Sequence, residues 1–251
     1  MKINLFIFII IFYRLTIATG QTPAAIETDL LKAFKKIKQE EDRDKIDIYN
    51  SQFTKKLKYY TEKFPNTLHQ KFSNLIANHL DITSSTDGKF RIYSWDTNTG
   101  GTMYIWADVM QYKIGHKIYA KVDTFKDSDK DIGCNYTKMY TFKGNGKTYY
   151  LCNTQVIESS KYYAIGLQCF TIDDRKLNVK AKIIKTNSGL NSRIWYEFDT
   201  SPFKSWKEHP TIIFDEKNNT LKMPLIDAKG RVTHKFIIYK FTGQYFERIR
   251  N

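Results

Sequence analysis

SSTDGKFRIYSWDTNTGGTMYIWADVMQYK, residues 84–113, reads as two strands joined by a polar, glycine-bearing turn. In the first arm, Phe90-Arg91-Ile92-Tyr93-Ser94-Trp95, nearly every residue is bulky, so both faces of the strand are expected to touch something. In the second arm the side chains alternate. Tyr104, Trp106, Met110 and Tyr112 share one face, and Met103, Ile105, Ala107 and Val109 the other. Strand side chains point to opposite faces with period two, so neither face is left to solvent. The connection, Asp96-Thr97-Asn98-Thr99-Gly100-Gly101, holds residues that tolerate positive φ or bond nearby backbone. It is longer than the tightest hairpin turn, which predicts a bulge.

The chain before this hairpin reads as helix. Ile26, Leu30, Phe34 and Ile37 recur at helical spacing, and Phe53, Leu57, Tyr60 and Phe64 form a second stripe. Pro65 suits the first turn of a third helix, whose buried face is Leu68, Phe72, Leu75, Ile76 and Leu80. The chain after the hairpin reads as short strands with polar turns, at a spacing that predicts an antiparallel meander. The expected fold is therefore mainly β, of the α+β type. N-terminal helices (21–83) precede an antiparallel β domain (84–251) shaped as an open sandwich or partial barrel. A faint echo between TIDDRKLNV (171–179) and FDEKNNTLKM (214–223) keeps a small β-propeller as the alternative.

Residues 1–20 have the pattern of a signal peptide: Lys2, an apolar run from Ile3 to Tyr13, then small Ala18 and Gly20 ahead of Gln21. The run is short for a membrane span, and no later run is long enough. A periplasmic or secreted product is expected. The net charge of +14 is dispersed, and no nucleic-acid motif accompanies it. Anionic envelope surfaces, or plain solubility, account for it better. An oxidising compartment allows one disulfide among Cys134, Cys152 and Cys169. Cys152 with Cys169 is the favoured pair, flanking the turn at Glu158–Lys161. Three buried thiols are the alternative.

The segment DGKFRIYSWDTNTGGTM, residues 87–103, resembles a motif of uncharacterised exported proteins of Bacteroidetes and some other Gram-negative bacteria. The resemblance implies an envelope setting and no chemistry.

Chemical motifs are sparse. Asp127, Asp129 and Asp131 alternate as a calcium site would require, but Ile132 and Lys138 stand where an EF-hand loop needs glycine and glutamate. Ser201-Pro202-Phe203-Lys204 matches Ser-x-x-Lys without its partner motifs. The five histidines form no zinc spacing. No cofactor motif occurs. Asp96, Asp108 and Glu197, in or beside aromatic strands, are the candidates for paired-acid glycan hydrolysis. The largest surplus is aromatic: 17 Tyr, 17 Phe and 4 Trp. Tyr93, Trp95, Tyr104, Trp106 and Tyr112 are expected either to form a binding platform for an envelope glycan or protein, or to fill the sheet core. A non-catalytic binding protein is the favoured reading. A glycan or peptidoglycan hydrolase and a purely structural envelope component are the alternatives.

Overall fold

The computed structural model describes residues 21–122 and 132–249. The segment 1–20, expected as a signal peptide, and the carboxylates Asp127, Asp129 and Asp131 lie outside the described residues.

Two long helices open the fold, α1 (Pro23–Gln39) and α2 (Arg43–Lys63). Thr22 Oγ1 caps α1 by accepting from Ala25 N–H at 3.2 Å, and Pro23 fills its first turn, where the missing N–H costs nothing. Asp42 caps α2. The expected third helix is broken. A 3-10 turn covers Pro65–Leu68, and only Ser73–Ala77 is α-helical (α3). Between them Phe72 is buried and left-handed, with φ 52°. Buried Glu27 of α1 starts α3 by accepting from the N–H groups of Asn74 and Leu75.

The strands build three sheets. Sheet A has the order β1 (Asp81–Ser84), β2 (Phe90–Asp96), β3 (Trp106–Ile114), β4 (Lys117–Val122). Sheet B is formed by β5 (Asn135–Gly144), β6 (Lys147–Ile157), β7 (Tyr162–Ile172) and β11 (Arg193–Asp199), with the short β8 (Leu177–Asn178) on β7. Its path runs β11-β7-β6-β5. Sheet C comprises β9 (Ile184–Thr186), β10 (Gly189–Asn191), β12 (Ile213–Asp215), β13 (Thr220–Ile226), β14 (Val232–Phe241) and β15 (Phe246–Arg248). Its order is β10-β9-β15-β14-β13-β12, and β15 with β9 is a parallel pair inside an otherwise antiparallel set.

Three cores stack these layers. Helix residues Phe34, Phe53 and Leu57 pack on Tyr93, Trp95 and Val109 of sheet A. The opposite face of sheet A presents Phe90, Ile92 and Met110 to Tyr136, Tyr150 and Phe170 of sheet B. The far face of sheet B presents Leu151, Leu167 and Ile194 to Phe214, Leu221 and Phe246 of sheet C. The fold is mainly β with N-terminal helices, and its sheets are layered as in a sandwich without closing into a barrel. The two echoing segments are hairpin turns in different sheets, β7–β8 and β12–β13, not two blades of a propeller.

The motif at 87–103 is where the helices are fastened. Trp95 is fully buried, in edge contact with Phe53 at 5.0 Å, and donates its indole N–H to Asn50 Oδ1 at 3.0 Å. Asn50 in turn donates to Thr97 O. Arg91 donates to the carbonyls of Thr67 and Gln70. Gln111 donates to Thr61 O and Thr67 Oγ1, and Tyr93 Oη lies 2.9 Å from Gln111 Oε1. Burial pushes the Tyr93 phenol up to about 12. Gly88 sits at φ +67°, where an added Cβ would stand 2.9 Å from the His69 ring.

The Cys152–Cys169 disulfide is corrected: none of the three cysteines is disulfide-bonded. Direct partners on the β6–β7 hairpin are Cys152 with Gln168 and Leu151 with Cys169. The two sulfurs are thus one residue out of register and point to opposite faces of sheet B. Cys152 lies in the core toward sheet A and Cys169 in the core toward sheet C. Burial pushes both thiols up.

Two outcomes test this packing. Trp95→Ala is expected to lose about 3–5 kcal/mol in denaturant unfolding, because it opens a cavity and strands the Asn50 amide. Thiol titration is expected to find three reactive groups per unfolded chain, with Cys152 and Cys169 protected in the native state.

Candidate functional site: an aromatic and carboxylate strip on β11

The five aromatics proposed from sequence as one platform divide between two faces of sheet A. Tyr93 and Trp95 are fully buried beneath the helices and unavailable to a ligand. Tyr112 stacks on Tyr119 at 5.6 Å toward the β4 edge. Only Tyr104 and Trp106 stay together near solvent, with rings 6.0 Å apart and Tyr104 39% exposed. The carboxylates divide as well. Asp96 caps its own turn by accepting from Asn98 N–H, and it pairs with Lys38 at 3.7 Å. Asp108 is buried in sheet A. Ser201 lies in a turn rather than at a helix start, so the Ser-x-x-Lys geometry is absent. No cluster of three or more metal-ligating side chains occurs among the described residues.

The strongest surface feature is strand β11, the edge of sheet B. Ile194 faces the sheet C core, and Phe198, on the same side of the strand, is buried against Tyr163, Phe203 and His209. The alternate residues Arg193, Trp195 and Glu197 face the other way and are exposed, Trp195 by 54%. Sheet A covers β5, β6 and part of β7 on that side but contributes no core contact to β11. In register, Trp195 stands opposite Gly166 and Glu197 opposite Ala164. An added Cβ at Gly166 would come within 3.0 Å of Trp195 Cβ and 2.8 Å of Ile194 O. A side chain there would push the indole off the sheet.

The 97–105 loop closes one end of this strip. Tyr104 N–H donates to Ile157 O at 3.0 Å, which fixes the loop to the end of β6. The next residue, Glu158, donates its N–H to Tyr162 O. Its carboxyl is held above the usual range, first by burial and then by the neighbouring charge of Glu197. Neither carboxylate has an ion-pair partner among the described residues. Tyr163, its phenol raised by burial and by nearby Tyr104, belongs to the same end.

A rigid backing lies behind. The His209 ring is boxed by Tyr163, Phe203 and Phe198 at 5.1, 5.4 and 5.5 Å. Burial lowers its pKa, so the neutral ring is favoured. Beyond it the loop turns out to Trp206, 73% exposed, with Lys207 over its ring.

The strip therefore offers an indole face, a Tyr–Trp ring pair and two carboxyl groups, which when ionised accept hydrogen bonds and donate none. Sequence reasoning had named Tyr104, Trp106 and Glu197 but not Trp195 or Glu158. The missed signal was the alternation in Arg193–Phe198, which places a tryptophan on the polar side of an amphipathic strand. Compared with known proteins, the chain matches no family model and no curated sequence.

The raised Glu158 carboxyl makes a directional prediction. The folded chain holds that proton more tightly than the unfolded chain, so stability falls as pH rises past the ordinary glutamate range. Glu158→Gln is expected to melt higher than the parent at neutral pH. The gap should close below that range in thermal scans taken across pH.

Proposed function

We propose that this is an exported, envelope-associated binding protein that holds a glycan on the β11 strip. The observation that carries the reading is Trp195: a large indole, 54% exposed, on the same strand face as Glu197. A tryptophan face stacks on the C–H face of a sugar ring, and neighbouring carboxylates accept from its hydroxyls. The Tyr104–Trp106 pair supplies a second apolar surface at the same end of sheet B. Isolated exposed apolar residues are ordinary. An exposed indole with Glu197 two residues along the same strand face, over Gly166, is a more specific arrangement. Export rests on the N-terminal pattern at 1–20 and on the resemblance at 87–103.

The pairing of Glu158 with Glu197 supports a second reading, hydrolysis of the bound glycan. Two carboxyls near one another, with that of Glu158 raised first by burial and then by Glu197, are the residue types that chemistry uses.

An array of bacterial envelope glycans, with peptidoglycan fragments included, tests both. Binding is expected, and Trp195→Ala should weaken it at least about tenfold, or about 1.4 kcal/mol. The variant should change folding stability by less than ~1 kcal/mol, because the ring is exposed. Equal binding by parent and variant sinks the strip as the site. Release of reducing ends by the parent and not by Glu158→Gln selects the hydrolase.

A further inference from the structure

The two long helices hold a charged hollow beside their seam. α1 and α2 pack through Leu30, Phe34, Phe53 and Leu57. Next to that contact lies a hollow of about 250 Å³. Asp29, Lys32 and Lys36 of α1 line one side, and Tyr49, Gln52 and Lys56 of α2 the other. Each set is spaced by three and then four residues, so each is one stripe of its helix. Ala33 lies between the two lysines of α1, and its methyl group leaves the space open.

The lining is rich in donors. Three ammonium groups face one carboxylate, a net charge of +2. That carboxylate is already committed. Its two oxygens accept from Lys56 Nζ at 2.8 and 2.9 Å, and Tyr60 Oη donates to Asp29 Oδ2 at 2.6 Å. An ammonium group has three donors, so Lys56 keeps one for the hollow. Lys32 acts on Asp29 only at longer range. Lys36 lies over the Tyr49 ring, 5.4 Å from its centre, and makes no ion pair among the described residues. Tyr49 Oη and the Gln52 side-chain amide have no hydrogen-bond partner among the described residues. Lys32 and Lys36 stand one turn apart on one helix face, where like charges repel. An anion held between them removes that repulsion.

Size and charge select the ligand. Pockets that take whole small molecules span roughly 300–1,000 Å³. This hollow is smaller and suits a charged group at the end of a larger ligand. A phosphomonoester carries about −1.5 to −2 charges at neutral pH and three strong acceptor oxygens. It matches both the net charge and the donors. A phosphodiester or a carboxylate, with a single charge, matches neither as well.

We propose that this hollow binds a phosphomonoester group. Lys32, Lys36 and the remaining donor of Lys56 hold its oxygens, and Tyr49 Oη and the Gln52 amide add hydrogen bonds. The site is separate from the β11 strip and does not rest on the reading given there. A sugar phosphate and a lipid headgroup present the same chemistry, so the test carries an arm for each.

The full chain is titrated with glucose 1-phosphate, with its methyl diester, and with phosphatidylcholine vesicles with and without phosphatidic acid. The monoester is expected to bind, and the diester more weakly. Replacing both lysines, Lys32→Gln with Lys36→Gln, should weaken monoester binding at least about tenfold. A control pair, Lys35→Gln with Lys55→Gln, removes the same charge from exposed lysines outside the hollow. It should change binding by less than about twofold, because distant exposed charges are screened. Tyr49→Phe keeps the ring under Lys36 and should also weaken binding through the lost donor. Tighter binding to phosphatidic acid vesicles than to glucose 1-phosphate, lost with Lys32 and Lys36, assigns the group to a lipid headgroup. The reverse order assigns it to a sugar phosphate. No binding at millimolar monoester, or equal binding of the diester, overturns the proposal. So does an equal loss in the two double variants, which would leave only the dispersed attraction of a chain with net charge +14.

Discussion

A sheet buried on both faces must put apolar side chains on both, and sheet B sets this requirement for the whole molecule. β7 is buried along most of its length and β6 from Tyr149 to Asn153, because sheet A lies on one face and sheet C on the other. Uncovering either face would expose a row of aromatic and aliphatic side chains, at roughly 25 cal/mol per Å² of apolar surface. The outer layers follow from this. Sheet A covers one side of sheet B and is itself covered by the helices. Sheet C covers the other side and presents its outer face to solvent.

The helices depend on a narrower device. Their apolar stripes supply contact area without direction, and dispersion alone would allow them to slide over sheet A. The buried polar groups of the motif fix the register. Asn50, Trp95, Arg91, Tyr93 and Gln111 each bond a specific carbonyl or side chain across the seam. An unmade bond there would leave a buried donor or acceptor unsatisfied, at about 1–3 kcal/mol each. Residues 87–103 thus have a physical reason to be a distinct sequence feature: they are the clasp between helix and sheet. The clasp also occupies Tyr93 and Trp95, which removes them from any ligand.

Much of the architecture was legible in residue patterns. The two helical stripes and the central hairpin stand close to where periodicity puts them, and antiparallel strands with polar turns follow. The broken third helix was not legible, because Phe72 adopts a left-handed conformation within a tertiary setting that local sequence does not encode. Arg91 takes the carbonyls of Thr67 and Gln70, and Glu27 supplies the cap at Asn74, from 21 to 47 residues away along the chain. The sulfur pairing failed for a simpler reason. Counting outward from the turn put Cys152 and Cys169 at nearly equal distances, but the actual register differs by one residue. On a pleated strand one residue is the difference between contact and opposite faces. Of the site, the Tyr–Trp pair and Glu197 were visible as candidates. Their grouping with Trp195 and Glu158 needed the three-strand register of β6, β7 and β11.

The same mismatch of layers explains where the surface features fall. Sheet A ends short of β11, so the outward row of that strand, Arg193, Trp195 and Glu197, has no cover. If the strand were merely an unfinished edge, its polar side would need only charges, which discourage edge pairing. Trp195 breaks that pattern, and Gly166 beside it removes the one side chain that would lift the indole off the sheet. Ala164 does the same beneath Glu197. Small residues thus stand in register with a tryptophan and a carboxylate that are both exposed on this row. At the same end, burial first and then the charge of Glu197 raise the Glu158 carboxyl. The close approach of Ile194 O and Thr154 Oγ1 leaves no room for a side chain at 166, so strand packing and the outward row of β11 are set by the same glycine.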